Sequence, residues 1–462
     1  MKTPQSNIPP ELVAKYDTSG PRYTSYPTAP VWTDAFGAAE WDVALAEADK
    51  RGDETIALYV HLPFCRERCL FCACNVVITK REDVLTAYLD RLKREIATVA
   101  SKLPNRRKVS GVHWGGGTPT HLSPEEIEGV WTCITEHFEV PSDAEVSIEV
   151  HPPVTTREQM ETLARLGFNR VSFGVQDIDS GVQNLINRNQ SLEQTEDVLS
   201  WARELSFSSV NFDLIYGLPG QTLDTWNYTL DQVARLLPDR LAIYSYAHVP
   251  WLHPHQKRMP EDQLPSPELK LELLRTASRR LEAEAGYVEI GFDHFALPTD
   301  ELATAVKDRK LYRNFMGYTV KPARDYIGFG MTAISEVGDA FTQNHSKLNR
   351  WNEAIDGGLC PVAKGHALSL DDRVRKLIIE RLMCSQQITF AEVEELSGEP
   401  FSELFATQWQ ALKDFEDDGL VVRGEHDLCV TKLGRNFLRN ICMLFDSYLK
   451  EQLREGRFSK TV

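Results

Sequence analysis

The sequence predicts an α/β fold: a parallel (β/α) barrel, complete or partial, behind an irregular N-terminal arm and ahead of a mainly helical C-terminal domain. Three observations predict it. From about residue 55, short β-rich runs alternate with amphipathic stretches six times, the signature of parallel βαβ units. Polar or glycine-rich clusters follow almost every run. An open doubly wound sheet gathers its site at one switch point, whereas strand ends that each bring polar groups converge on one face of a barrel. From about residue 366 the apolar spacing becomes helical.

The arm, residues 1–50, carries Gly20-Pro21-Arg22-Tyr23-Thr24-Ser25-Tyr26-Pro27-Thr28, too irregular for one helix or strand throughout. It reads first as a packed arm, and its arginine and hydroxyls could also cover an anionic ligand. The core, residues 51–345, has strands expected at 56–64, 109–114, 145–150, 170–175, 210–216 and 240–247, with helices at 84–99, 124–138, 157–166, 192–205 and 222–236. Residues 250–345, rich in Pro and charge, extend it, with a strand-like 287–292 and an irregular 293–296. Residues 366–462 read as helices 371–383, 389–396 and 403–417, a ribbon at 420–423 and 429–431, and a final helix 432–450. That order resembles a winged helix, but Glu392, Glu394, Glu395, Glu399, Glu416, Asp417 and Asp418 weigh against DNA reading, so a structural domain or lid is expected.

The chain has 462 residues, 42% of them hydrophobic, and a formal charge of −16 from 51 Lys and Arg against 67 Asp and Glu. A nucleic-acid partner would need a basic stripe, so none is expected. No apolar run reaches the roughly 20 residues that cross a bilayer, and the polar N-terminus has no signal region; a cytoplasmic, membrane-free protein is expected. Of nine cysteines, Cys133, Cys360, Cys384, Cys429 and Cys442 are scattered, as buried small hydrophobes are. Cys65, Cys69, Cys72 and Cys74 crowd into ten residues behind the first strand. Thiolates this dense bind a soft metal centre. A disulfide loop does not suit the compartment. Four zinc ligands from one ten-residue turn, with no second pair elsewhere, depart from the usual two-turn structural site. Zinc stays possible beside the third reading, an iron–sulfur cluster at the barrel mouth.

Trp114-Gly115-Gly116-Gly117-Thr118-Pro119-Thr120 follows the second strand and lacks the Gly-Lys-Ser/Thr of a P-loop; three glycines allow a close backbone approach to a ligand. Glu149, Gln176, Arg188 and Asp213 follow later strands.

C-x3-C-x2-C after the first strand, with Phe71 before the third cysteine, resembles the radical S-adenosylmethionine (SAM) superfamily. The ordered segments GPRYTSYPTA, YVHLPFCRERCLFCAC, HWGGGTPT, FGVQD, DLIYGLP, DHFA, RNFMGYT and NICMLFDSYL resemble more narrowly the oxygen-independent coproporphyrinogen III oxidase family, over almost the whole chain. The resemblance implies a partial (β/α)6-type, TIM-like radical SAM barrel. It implies a 4Fe-4S cluster on Cys65, Cys69 and Cys72 but not Cys74, and two SAM molecules. Tyr59, Gly116, Glu149 and Ile334 would contact the first SAM, with Met316 beside it; Phe71, Gly117, Thr118, Gln176, Arg188, Asp213 and Ala247 would contact the second. Tyr59 and Met316 join the cysteines as expected catalytic positions. The implied reaction turns two propionates of coproporphyrinogen III into vinyl groups, with a flavodoxin- or ferredoxin-like electron donor and a monomeric enzyme. Arg22 is expected to meet a substrate propionate, since its planar fork fits a carboxylate.

Three positions depart from that pattern: Met316 where Gln is expected, His151 where Asp is usual, and Ala73 where Gly is common. Met316 motivates an alternative, a paralogue acting on another tetrapyrrole. A heme-binding carrier with a vestigial cluster and a zinc-stabilised winged-helix regulator are the readings from other classes.

Overall fold

The computed structural model describes residues 9–454 apart from Asp53 and Phe292. The six expected strands form: β1 (Ile56–Leu62), β2 (Val109–Gly116), β3 (Glu145–Val150), β4 (Arg170–Gln176), β5 (Ser209–Tyr216) and β6 (Arg240–Ser245). They pair in sequence order, all parallel. The later strands β7 (Val288–Gly291), β8 (His294–Ala296), β9 (Asp325–Phe329), β10 (Ile334–Val337), β11 (Ala340–Asn344) and β12 (Val362–Ala367) extend the sheet at both edges. The order is β12-β11-β10-β9-β1-β2-β3-β4-β5-β6-β8-β7. The two edges do not pair, so the barrel is partial.

Helices α1 (Glu82–Ser101), α2 (Pro124–His137), α3 (Arg157–Arg165), α4 (Leu192–Glu204) and α5 (Leu223–Leu236) return the chain between strands. Their starts are written locally: Ser123 with Glu126, Thr156 with Gln159 and Ser191 with Gln194 form reciprocal capping boxes. In α1, Leu85, Leu89, Leu92, Ile96 and Val99 fall on one face and are buried against the sheet, each contributing about 1.5–3 kcal/mol relative to exposure.

Period-2 alternation then sorts the strands. In β3, Val146, Ile148 and Val150 are buried while Glu145, Ser147 and Glu149 are partly open; in β4, Val171, Phe173 and Val175 are buried and Arg170, Ser172, Gly174 and Gln176 are not. The apolar set packs outward on the helices, and the polar set lines the lumen.

Three expected elements differ. Residues 294–296, expected irregular, form β8, which pairs antiparallel with both β6 and β7. The helix expected at 403–417 is interrupted at Phe405, leaving Phe401–Leu404 and Ala406–Asp417. The final helix expected at 432–450 is three pieces: a 3-10 turn Gly434–Phe437, then Leu438–Met443 and Leu449–Arg454. Here the arm competes for the polar groups. Arg439 donates to the carbonyls of Gly20 and Pro21, and Asp446 and Ser447 bond the Tyr23 and Tyr26 hydroxyls, across 418–423 residues of chain.

The arm and the C-terminal region share one apolar core: Leu12, Tyr16, Tyr23 and Tyr26 pack with Val374, Ile378, Phe405, Phe437 and Phe445. The C-terminal ribbon pairs Gln387–Thr389, Asp427–Val430 and Val421–Arg423 antiparallel, matching the winged-helix order. Among the described residues no helix is long and apolar enough to cross a membrane.

Candidate active site

At the C-terminal ends of β1 and β2 two loops are tied together. The Gly117 N–H donates to Leu62 O (2.8 Å) and the Thr118 N–H to Phe64 O (2.9 Å). A Cβ on Gly117 would stand 2.6 Å from the Pro63 carbonyl carbon, one on Gly116 (φ 114°) 2.5 Å from the His61 ring, and one on Gly115 2.8 Å from the Glu149 carboxylate. The glycine run, read from sequence as room for a ligand, makes room first for the chain itself.

The cysteine loop docks on two sides. Leu70 N–H donates to Ile186 O (2.9 Å), and the Asn187 amide donates to Arg68 O (3.0 Å). Leu70 joins Val182, Ile186, Ile215, Leu218 and Met259 in a small apolar cluster against which Phe71 packs. Opposite, His255 Nε2 lies 2.7 Å from Cys72 O, and fully buried Gln256 donates to Phe71 O (3.3 Å) and Ala247 O (3.4 Å) while accepting from Val249 N (2.7 Å). Sequence reasoning missed His255 and Gln256, because nothing periodic marks the Pro-rich stretch that carries them.

Cys65, Cys69 and Cys72 are partly buried, Cys74 is exposed, and none is in a disulfide. Each of the first three sulfurs has its own polar neighbour: Thr118 Oγ1 at 3.4 Å from Cys65, Arg188 Nη1 at 3.5 Å from Cys69, and the Cys74 N–H at 3.4 Å from Cys72. The Cys72 thiol is pushed down to about 7, chiefly by the hydrogen bond from the Cys74 thiol, with Arg68 and Arg188 adding to it against burial. Burial pushes Cys65 up to about 11, against the Thr118 hydrogen bond. Among the described residues no three His, Cys, Asp or Glu side chains converge as ligands of a single ion. Three separate thiols, each with its own polar neighbour at the sulfur, fit a polynuclear iron–sulfur cluster in which each thiolate takes a different iron.

Below the loop the lumen is polar. Burial pushes His61 down to about 4, so its imidazole is neutral. Its Nε2 meets Asn75 O (3.2 Å), which can only accept, so Nδ1 accepts the Tyr59 hydroxyl proton (3.0 Å). Tyr59 therefore offers oxygen lone pairs, not its proton, to anything above it. The Glu149 carboxylate accepts from Gly116 N (3.1 Å) and lies 3.6 Å from His113 Nε2. Burial opposes its ionisation, but His113 and the Gly116 amide outweigh that and hold its pKa below the ordinary value. Asp213, held by Asn211 (2.8 Å) and Ser172 (3.2 Å), is pushed up to about 6 by burial and then by the Glu149 charge.

Gln176 takes φ 71°, where the β4–β5 register slips between Gly174 and Gln176. Such a bulge in the left-handed region re-aims a side chain, a strain found mostly at sites. Arg188 reaches the Gly174 carbonyl and Cys69; a Cβ on Gly174 would stand 2.7 Å from its guanidinium. His151, where Asp was expected, is pushed down to about 3 by burial and then by the Arg188 charge. An aspartate there would offset that charge; the neutral imidazole leaves it bearing on the Cys69 sulfur.

The remaining expected positions are spread around these. Ile334 begins β10, its backbone packed on Gly328, which pairs with Tyr59. Met316 sits in the turn of a hairpin, Tyr312–Asn314 with Gly317–Thr319, and lines a cavity of about 60 Å³ with His113, Glu145 and Ser147. That places it one side-chain layer below Glu149, sharing His113 with it. Arg22 lies at the mouth, donating to Ser245 O (3.1 Å) at the end of β6. The structure thus brings the three cysteines, Thr118 and Arg188 together, and Tyr59, Gly116 and Glu149 together beneath them.

Comparison with known proteins gives the family. The Radical SAM superfamily model matches residues 59–233, and the HemN C-terminal domain model matches residues 368–437. The chain is 41% identical to the oxygen-independent coproporphyrinogen III oxidase of Synechocystis sp., covering 98% of this chain and 97% of that one. It is 43% identical to that of Pseudomonas aeruginosa, covering 98% of each. The solved structure described as "Coproporphyrinogen III oxidase (HemN) from Escherichia coli is a Radical SAM enzyme" superposes with a TM-score of 0.89 at 41% identity, covering 93% of this chain and 98% of that one. With its cysteine loop, its polar lumen and a likeness that runs almost end to end, the chain belongs to the oxygen-independent coproporphyrinogen III oxidase family of radical SAM enzymes.

Proposed function

We propose that the chain converts coproporphyrinogen III to protoporphyrinogen IX without oxygen, in heme biosynthesis, by oxidative decarboxylation of two propionates to vinyl groups. Each propionate gives up a hydrogen atom, one electron and carbon dioxide. The observation that carries the reading is the juxtaposition of three thiols outside any disulfide, each with its own polar neighbour, over a lumen that holds an ionised carboxylate, in a chain of this family. Cys65, Cys69 and Cys72 would hold a 4Fe-4S cluster. When bound, that cluster and SAM supply a 5′-deoxyadenosyl radical able to take a hydrogen atom from an unactivated carbon.

The chain's own residues bind, orient and exclude water. Glu149, kept ionised by His113 and Gly116, suits the amino group of a first SAM, with Tyr59, Gly116 and Ile334 around it and Met316 below. Phe71, Gly117, Thr118, Gln176, Arg188, Asp213 and Ala247 are assigned to a second. Negative charge deep in the lumen and positive charge at its mouth then separate a sulfonium from a polycarboxylate substrate. Arg22 is assigned to a propionate. Removing the hydrogen atom needs no general base, so what the protein supplies is position and a dry site, to which the arm and C-terminal region contribute as covers. We further propose a monomeric cytoplasmic enzyme served by a flavodoxin- or ferredoxin-like donor.

The test is anaerobic reconstitution of the cluster, followed by SAM, reductant and coproporphyrinogen III, with 5′-deoxyadenosine and protoporphyrinogen both measured. Both products, lost together in Cys69→Ser, support the assignment. Deoxyadenosine without protoporphyrinogen overturns the substrate and turns attention to other tetrapyrroles.

A further inference from the structure

Several cations elsewhere in this molecule that lie out of the solvent are matched by carboxylates. Arg106 pairs with Asp325, Arg240 with Asp300, and Lys376 with Glu336. Charges withdrawn from water require such partners. The barrel mouth gathers cations without such partners. Arg22 and Lys270 are both partly buried there, and among the described residues neither has a carboxylate within ion-pair distance, in a chain of net charge −16.

Both are anchored to backbone at the end of the same strand. Arg22 Nη2 donates to Ser245 O (3.1 Å), and Lys270 Nζ donates to the neighbouring Tyr246 O (2.8 Å). An ammonium has three donors, so two remain on Lys270 for a ligand. Its stem crosses the end of β5, with Nζ 5.9 Å from the Tyr216 ring centroid and Cε 2.8 Å from where a Cβ on Gly217 would lie. Gly217, at φ 87°, is the glycine of the DLIYGLP segment. Its bare backbone is what lets Lys270 lie there. The arm that carries Arg22 is fixed from above by Arg439, which donates to Pro21 O (2.9 Å) and Gly20 O, and from the side by Arg313, which reaches Arg22 O (3.5 Å) and Tyr23 O (3.4 Å).

The crowding shows in the titration of these groups. Lys270 is pushed down to about 8 by burial and then by the Arg22 charge, with Asp17 partly offsetting them. Burial and Arg22 also push Arg439 down to about 10, against Tyr23, Tyr216 and Asp17. The Asp293 carboxylate feels Arg22 too, but is held first by His294 at 2.6 Å.

We propose that Arg22 and Lys270 form a carboxylate-binding pocket at the barrel mouth, at the ends of β5 and β6, in which a propionate of the substrate docks. Arg439 is a positioning residue that holds the arm, and with it Arg22, over the pocket. The proposal rests on the function proposed above, and it adds Lys270 and Arg439 to the residues that select a polycarboxylate.

The test uses the full-length protein and a non-reacting probe, coproporphyrin III, titrated by quenching of tryptophan fluorescence alongside its tetraamide. Lys270→Met and Arg22→Met should each weaken coproporphyrin III binding about 10-fold or more, as loss of one charge-assisted hydrogen bond does, and leave the tetraamide unaffected. Lys270→Arg should restore binding to within a few-fold, which also guards against misfolding of the Met variant. Arg439→Gln should weaken binding less than Arg22→Met and should add nothing in the double variant. Unchanged affinity for the acid in both Met variants, in a wild type that does convert coproporphyrinogen III, would overturn the pocket alone. A wild type that fails to convert coproporphyrinogen III overturns instead the function on which the pocket rests.

Discussion

Gly117→Ala is a small change with a large expected effect. The new methyl would stand 2.6 and 2.7 Å from the Pro63 carbonyl carbon and oxygen and 2.8 Å from Phe64 O. All three are backbone atoms, with no flexible side chain to step aside. Gly117 is not at positive φ, so the cost is contact, not conformation. Either the methyl is forced in, which costs about 1–3 kcal/mol as overpacking, or the two loops part. Parting sacrifices the bonds from Gly117 N to Leu62 O and from Thr118 N to Phe64 O, about 1 kcal/mol each. The expected loss is therefore about 2 kcal/mol by either route. It falls on the segment that leads into Cys65 and on Thr118, the hydroxyl neighbour of the Cys65 sulfur. Urea unfolding followed by tryptophan fluorescence, with iron and sulfide analysis after reconstitution, reads both effects. Gly115→Ala is the control: the atoms nearest its methyl are those of the Glu149 carboxylate, which can rotate, so cluster loading should hold while SAM binding weakens. A Gly117→Ala protein with wild-type stability and full iron would refute the view that chain-on-chain contact dictates this glycine.

Four further outcomes follow from the site. Cys74→Ser should keep full iron content, because Cys74 hydrogen-bonds Cys72 and is not assigned to the cluster, whereas Cys69→Ser should lose most of it; equal loss in both would place Cys74 among the ligands. Gln256→Leu strands three backbone groups in a buried spot, which should cost about 3 kcal/mol and speed loss of iron on dilution; a wild-type rate of loss would sink that role. Asp213 has a folded pKa of about 6, above its ordinary value, so the folded chain retains a proton that the unfolded chain has lost, and this group's contribution to stability falls as pH rises from about 4 to 6. Asp213→Asn should accordingly be more stable than wild type at pH 8, by an advantage that shrinks towards pH 4, and should remove any fall in SAM affinity below pH 6; urea titrations and equilibrium dialysis at several pH values check both. Finally, His151→Asp would place a compensating charge near Arg188. Arg188 touches the Cys69 sulfur, so the cluster potential should move negative in a redox titration followed by electron paramagnetic resonance.

How much of this was legible in the sequence depended on whether the signal was local. The barrel strands and helices were, since period-2 alternation, helical spacing and Ser/Thr caps are each written within a dozen residues; β3 agrees with its expected bounds at both ends. The cysteine loop was legible by its density as a place for a soft metal centre, while the assignment of Cys65, Cys69 and Cys72 as ligands is what the family resemblance implies. The expected helix at 432–450 failed because its fate is decided by residues 20–26, more than 400 positions away, which take its polar groups as partners. The strand at 294–296 was missed because three residues between an aspartate and a turn carry no alternation, and pairing on both sides is what makes them a strand. His255, Gln256 and Lys270 were invisible for a third reason. A lone His, Gln or Lys is ordinary until the fold shows which carbonyl it faces.

The shared core of the arm and the C-terminal region follows the same logic one level up. Tyr16, Tyr23 and Tyr26 are buried against residues 374–445, not against the barrel, although the arm precedes the barrel in the chain. An element that must lie over the barrel mouth cannot bury its aromatic face in a polar lumen, so it needs a separate apolar partner, and a domain appended after the barrel supplies one. This gives the C-terminal region a task that its acidic, winged-helix-like sequence does not suggest. By holding residues 20–26, it holds Arg22 at the end of β6. Phe405→Ala, within that shared core and far from the thiols, should cost about 3–5 kcal/mol and raise the KM for coproporphyrinogen III while leaving iron content and substrate-free SAM cleavage unchanged. Loss of iron in that variant would instead mean that the arm and C-terminal region support the cluster loop directly.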